Sequence, residues 1–308
     1  MEASFSTTLL SVGGLQFTAL AGSREVARDR RRPLVLCLHG FPDHHRTWRL
    51  QIPALEAAGY RVVAPLLRGY EPSSQPIDDD YHTIRIVEDV LGFIEYLGCL
   101  RVHLVGHDWG AVIGYQVAAR APERLASLTT LAVPHPRGLW PQGLRLLPGQ
   151  LRNSWYMLFF QLRGLSEAAL RRDDFALVDR LWRDWSPGFT PPPEEVRLLK
   201  RTLRQPGVVH AALSYYRALM QPLGRAATAS RALMRAPVPV PTLALTGARD
   251  GCLDTRLHDL MRPQDFPGGL KVQRIAEAGH FLHQERPEEV NAAIVDWLRR
   301  HPTGEAID

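Results

Sequence analysis

Leu34–Leu38 is five apolar residues in a row, and residues 61–64 and 102–105 form two more short runs whose apolar side chains fall at consecutive rather than alternate positions. A strand that is apolar on both faces belongs inside a sheet covered on both sides, and helices supply that cover. Between the runs the spacing changes to the helical period: residues 47–58, 81–97 and 111–121 are predicted helices, the last stopped by Pro122. Strand and helix in alternation imply a parallel α/β sheet. Two strands around the Gly13-Gly14 turn open the chain as an antiparallel pair, and the arginine-rich stretch 24–32 is expected to be an exposed loop.

A sixth strand is expected at 128–133, and the alternation stops at Pro134-His135-Pro136. From there to residue 235 helical stretches follow one another, interrupted only by the proline-rich segment 187–193. Alternation resumes with a strand at 241–246, a helix from Thr255, a strand over Leu270–Ile275 and a helix over 287–299. The pattern divides the chain into an α/β core, residues 1–136 and 236–308, and an inserted helical cap, residues 137–235. The tail from Pro302 onward is expected to fray.

With 45% hydrophobic and 22% charged residues, the 308-residue chain has ample material for a packed core, which excludes a disordered protein. The net charge of +5 is unevenly spread. Residues 137–235 carry 16 basic and 7 acidic groups, and the remainder 21 and 25. The arginines of the middle segment alternate with Leu, Ala and Trp as on amphipathic helices, so they read as solvated helix faces and no nucleic-acid partner is expected. Cys37, Cys99 and Cys252 have no paired spacing, and His44, His45, His135 and His283 have no metal-ligand spacing. Neither a disulfide framework, a metal nor an organic cofactor is expected. The first residues lack the basic start and apolar stretch of a signal peptide, and nowhere do eighteen apolar residues run together. The expectation is a cytoplasmic protein without a transmembrane segment, a homodimer being left open.

The sharpest local signal is Gly106-His107-Asp108-Trp109-Gly110, at the end of an apolar run and just before a helical pattern. Small residues on both sides of Asp108 allow a strand-to-helix turn tight enough to push the middle side chain out of the sheet, the nucleophile elbow usually built around Ser. A carboxylate, with an ordinary pKa of about 3.9, is ionised at neutral pH and attacks without a base. His39-Gly40-Phe41-Pro42 ends an earlier strand, where the backbone N–H of Phe41 can join that of Trp109 in stabilising an oxyanion. Asp250 follows the next-to-last strand and His280, in Gly279-His280-Phe281, the last; the chain order is nucleophile, acid, base. Asp254 is a second candidate for the acid.

These residues resemble the α/β-hydrolase superfamily and, within it, the soluble epoxide hydrolases, through HGFP, QIPALEAAGYRVVAP, GHDWG and AGHF. The resemblance covers nearly the whole chain. Trp155-Tyr156-Met157-Leu158-Phe159-Phe160-Gln161 and Tyr215-Tyr216-Arg217 look like the two cap sites that hold the tyrosines of that family, which makes Tyr156 and Tyr216 the pair. The resemblance implies a cofactor-independent opening of a small epoxide by Asp108, proton donation by the tyrosines, and hydrolysis of the resulting ester by a water that His280, oriented by Asp250, deprotonates. One departure stands out: Pro65-Leu66-Leu67-Arg68-Gly69-Tyr70-Glu71 carries an extra carboxylate and apolar residue, so this loop is expected to pack differently. Trp140, Leu158, Phe159 and Leu219 are candidates to shape the pocket. The alternatives are a haloalkane or haloacetate dehalogenase, which uses the same Asp ester, and an idle hydrolase fold that binds a ligand.

Overall fold

The structure is a computed structural model that describes residues 5–138 and 149–304; Trp140 and residues 305–308 of the tail lie outside them. Eight strands form one sheet: β1 (Ser6–Val12), β2 (Leu15–Ala21), β3 (Leu34–Leu38), β4 (Arg61–Pro65), β5 (Val102–His107), β6 (Leu125–Leu131), β7 (Thr242–Gly247) and β8 (Leu270–Ile275). Their order is β1-β2-β4-β3-β5-β6-β7-β8. β2 runs antiparallel to both its neighbours, and β4, β3, β5, β6, β7 and β8 are mutually parallel. β3, β4, β5, β6 and β7 are buried along their whole lengths, as consecutive apolar residues require. This is the α/β-hydrolase fold.

The sheet sits between two apolar layers. One contains Leu36, Leu104, Ile113 and Phe93, and the other Val35, Val105, Leu243 and Ile294. Alternate residues of β3 and β5 thus face opposite cores.

Local differences from the sequence expectation have local causes. The stretch expected to be a loop contains a short helix, Arg24–Arg28, whose start is capped by the Ser23 hydroxyl accepting the Val26 N–H. The helix expected from Thr255 is only a 3₁₀ turn, Thr255–Leu260. β6 begins at Leu125, three residues early, and the helix after the elbow begins at Trp109.

Between β6 and β7 the described residues are helical, with no strand: Gly149–Asn153, Trp155–Phe159, Leu165–Arg171, Ala176–Trp185, Pro193–Arg204, Val208–Met220 and Arg225–Arg235. Four of these helices, Gly149–Asn153, Trp155–Phe159, Val208–Met220 and Arg225–Arg235, bring side chains over the carboxyl ends of the parallel strands, where open α/β sheets place their ligands.

Candidate active site

β5 ends at His107, and Asp108 turns the chain into the helix Trp109–Arg120 with φ 52° and ψ −116°, a conformation an L-residue adopts only when its surroundings hold it there. The flanking glycines explain how. A Cβ on Gly106 would lie 2.2 Å from the Gly110 carbonyl oxygen, and one on Gly110 would lie 2.2 Å from the Leu38 carbonyl oxygen. The elbow therefore closes only with hydrogen at both positions.

The turn aims the Asp108 carboxylate at the end of β3. Its Oδ1 accepts the Phe41 N–H at 2.7 Å, and its Oδ2 lies 3.6 Å from His280 Nε2. Trp109 is the first helical residue, so its N–H has no acceptor within its own helix and points out of the same end. Of the oxyanion pair expected from sequence, the Phe41 N–H bonds one oxygen of the carboxylate.

His280 is fully buried. Its Nδ1 is 2.9 Å from Asp250 Oδ2, while Asp250 Oδ1 accepts the N–H groups of Cys252 and Leu253 at 2.7 and 2.9 Å. Burial disfavours a charged His280, but the carboxylates of Asp250 and Asp108 outweigh it and bring the pKa to about 10. Asp254 is elsewhere: it caps the following 3₁₀ turn and pairs with Arg256. Asp250 is thus the carboxylate beside His280.

Tyr156 and Tyr216 come from separate helices, Trp155–Phe159 and Val208–Met220, and meet edge to face at 5.7 Å. Both line one cavity of about 220 Å³ together with Asp108 and Trp109. Burial pushes both phenols well above their ordinary range, with the charge of Asp108 adding to the shift. Val112, Val133, Met157, Leu158, Leu219 and Leu257 make most of the remaining wall, so its polar points are few. Leu158 and Leu219 are therefore pocket residues as expected, whereas Phe159 packs beside Trp155 and Phe160.

Several supporting residues carry no sequence signal. Gln150 donates to the Cys252 carbonyl at 2.8 Å and accepts the Asp254 N–H at 2.9 Å, and the Tyr156 hydroxyl lies 3.3 Å from Cys252 Sγ. Glu285 accepts the Ser186 hydroxyl at 2.6 Å and the Gly279 N–H at 2.8 Å, next to His280. In the loop after β4, Glu71 accepts from the Thr18 N–H and hydroxyl, and Arg68 makes a buried two-point pair with Asp89. That pairing anchors the loop to β2 and to the helix Thr83–Tyr96.

Beneath His280, the His107 Nε2 bonds its carbonyl at 3.0 Å. Asp43, His107 and His283 bring one ligand atom each within 4.8 Å of one another, the one such group among the described residues. Burial holds His107 neutral, with a pKa of about 3, and raises that of Asp43 to about 7. The His283 Nε2 contacts the Thr47 hydroxyl at 2.5 Å, and Gln284 donates to Asp43 at 3.1 Å.

Residues 33–287 match the family model described as the alpha/beta hydrolase fold. The chain is 32% identical over 293 residues to the AB hydrolase superfamily protein YfhM of Bacillus subtilis (strain 168), covering 94% of this chain and 96% of that protein. It is 33% identical over 277 residues to epoxide hydrolase 3 of Xenopus tropicalis, covering 88% and 72%. The crystal structure of a Bacillus megaterium epoxide hydrolase in complex with an inhibitor matches with a TM-score of 0.80 at 28% identity, over 95% of this chain and 100% of that one. A carboxylate elbow under two buried phenols and relatives of this kind lead to one conclusion: the chain belongs to the alpha/beta hydrolase family, and within it to the epoxide hydrolases.

Proposed function

We propose that this enzyme hydrolyses an uncharged, mostly apolar epoxide to a vicinal diol through an alkyl ester on Asp108. The observation that carries the reading is that one apolar cavity holds both the strained Asp108 carboxylate and the two phenols of Tyr156 and Tyr216. The residues 137–235 act in this reading as a cap on a core of residues 1–136 and 236–308. A cytoplasmic location is in keeping with three free cysteines.

In this reading the two oxygens of Asp108 do different work. Oδ1 is held by Phe41, so Oδ2 attacks a ring carbon from the side opposite the C–O bond. That bond breaks, and the ring oxygen takes a proton from Tyr156 or Tyr216, which buried phenols still carry at neutral pH.

Esterification removes the charge of Asp108, one of the two that hold a proton on His280, so the imidazole releases that proton to solvent, acts as a base, and takes a proton back from solvent once the Asp108 charge is restored. His280 Nε2 then takes a proton from water, and the hydroxide adds to the ester carbon. The charge developing on Oδ1 meets the N–H groups of Phe41 and Trp109, an interaction worth about 3–4 kcal/mol per donor. As the intermediate collapses, the leaving alkoxide takes the proton from His280, and the acid proton left on Asp108 restores the tyrosine. One oxygen of the diol is the former Oδ2.

Diol formation from a panel of epoxides tests this. Wild-type protein forms diol, Asp108→Asn forms none, and Tyr156→Phe or Tyr216→Phe lowers turnover by about 10²–10⁴-fold, the usual worth of a positioned proton donor. Full turnover in the double Phe variant would remove the tyrosines from the mechanism. Halide release from haloalkanes or haloacetates with no diol from any epoxide would identify a dehalogenase instead.

A further inference from the structure

The cavity opens onto an apolar rim that no described residue covers. Leu151, Leu158 and Met220 line the cavity and are also exposed, Leu151 by 59% and Leu158 by 67%. Trp155, Leu162 and Leu165 continue the rim along the same stretch of chain, and Leu223, 83% exposed, extends it beyond Met220. Residues 151, 155, 158, 162 and 165 lie on three successive short helices, Gly149–Asn153, Trp155–Phe159 and Leu165–Arg171, and the turn before the last. Large contiguous apolar patches of this kind mark interaction surfaces.

Charge says what kind of surface covers it. All seven acidic groups of the segment 137–235 fall within residues 167–195. The described stretches that carry the rim residues, 149–166 and 196–235, hold ten basic residues and no carboxylate. Arg152 and Arg163 stand next to Leu151 and Leu162, Arg225 follows Leu223 by two positions, and the guanidinium of Arg180 lies 5.8 Å from the Trp155 ring centroid. Arg180 is itself paired with Asp184, but arginine outnumbers acid around the rim, and leucines and a tryptophan set among arginines are the composition of a protein face that lies at a bilayer interface.

We propose that this rim docks on a negatively charged phospholipid bilayer, seating the cavity mouth at the level of the headgroups. An apolar compound dissolved in the bilayer then enters the cavity without crossing water, whatever reaction follows.

Flotation of the full chain with vesicles tests the proposal independently of any turnover. The chain is expected to float with vesicles of phosphatidylcholine and phosphatidylglycerol, weakly with phosphatidylcholine alone, and less at high salt as the arginine contribution is screened. Arg163→Ala lowers partitioning about fivefold, the fold-change of about 1 kcal/mol per surface cation. Leu162→Glu lowers it further, and neither variant changes kcat on a water-soluble epoxide, because neither side chain lines the cavity. Equal flotation of wild type and Leu162→Glu, or none with any vesicle, would overturn the proposal. A wild-type dimer in sedimentation that Leu162→Glu dissolves would overturn it in favour of a second copy of this chain.

Discussion

At the scale of single residues, the proposed mechanism requires His280 to be a different acid before and after the first chemical step. In the resting protein its two neighbouring carboxylates hold the imidazole protonated up to about pH 10. That value lies above the ordinary histidine value of about 6.5, so the charged pair stabilises the fold fully below pH 6.5. The contribution is lost as pH rises through about 10. His280→Gln should therefore flatten the fall in unfolding free energy between those pH values, measured by urea titration; an unchanged pH profile would mean that Asp250 and Asp108 do not hold that proton. Asp108 itself carries the backbone cost: a non-glycine residue at φ 52° is strained by about 1–3 kcal/mol, which the elbow offsets elsewhere.

At the scale of elements, the offset is in the two glycines. Gly110→Ala would place a methyl group against the Leu38 backbone, and β3 has no freedom to move because it pairs with both β4 and β5. The expected loss is about 1–3 kcal/mol in unfolding free energy together with most of the turnover, read by denaturant titration and by assay. A stable, active Gly110→Ala protein would mean that the turn tolerates a wider approach. These elements were legible in the sequence because each has a periodicity of its own: consecutive apolar residues for β3, β4 and β5, and Gly-x-Asp-x-Gly for the elbow. The short helix at Arg24–Arg28 was not, because one serine cap and five residues leave no period to read. Nor were Gln150, Ser186, Cys252 and Glu285, whose partners lie about a hundred residues away and are set by how the helices settle on the sheet.

At the scale of the whole molecule, the fold separates its labours. The sheet fixes Asp108, Asp250 and His280 at the ends of β5, β7 and β8, and the helices between β6 and β7 supply Tyr156 and Tyr216 from above. Ser186 to Glu285 and Gln150 to the Cys252–Asp254 backbone tie the two parts together on either side of His280. The segment between β6 and β7 carries the chain's excess positive charge and places the exposed Leu151 and Leu158 at the cavity. The proposed reaction turns on an ester on Asp108, so trapping that ester is the most direct test. With His280→Gln the water-activating base is gone, and exposure to an accepted epoxide should raise the intact-protein mass by one substrate, mapped to the peptide that contains Asp108. No added mass from an epoxide that the wild-type protein converts, or mass on a peptide lacking Asp108, would contradict the covalent account.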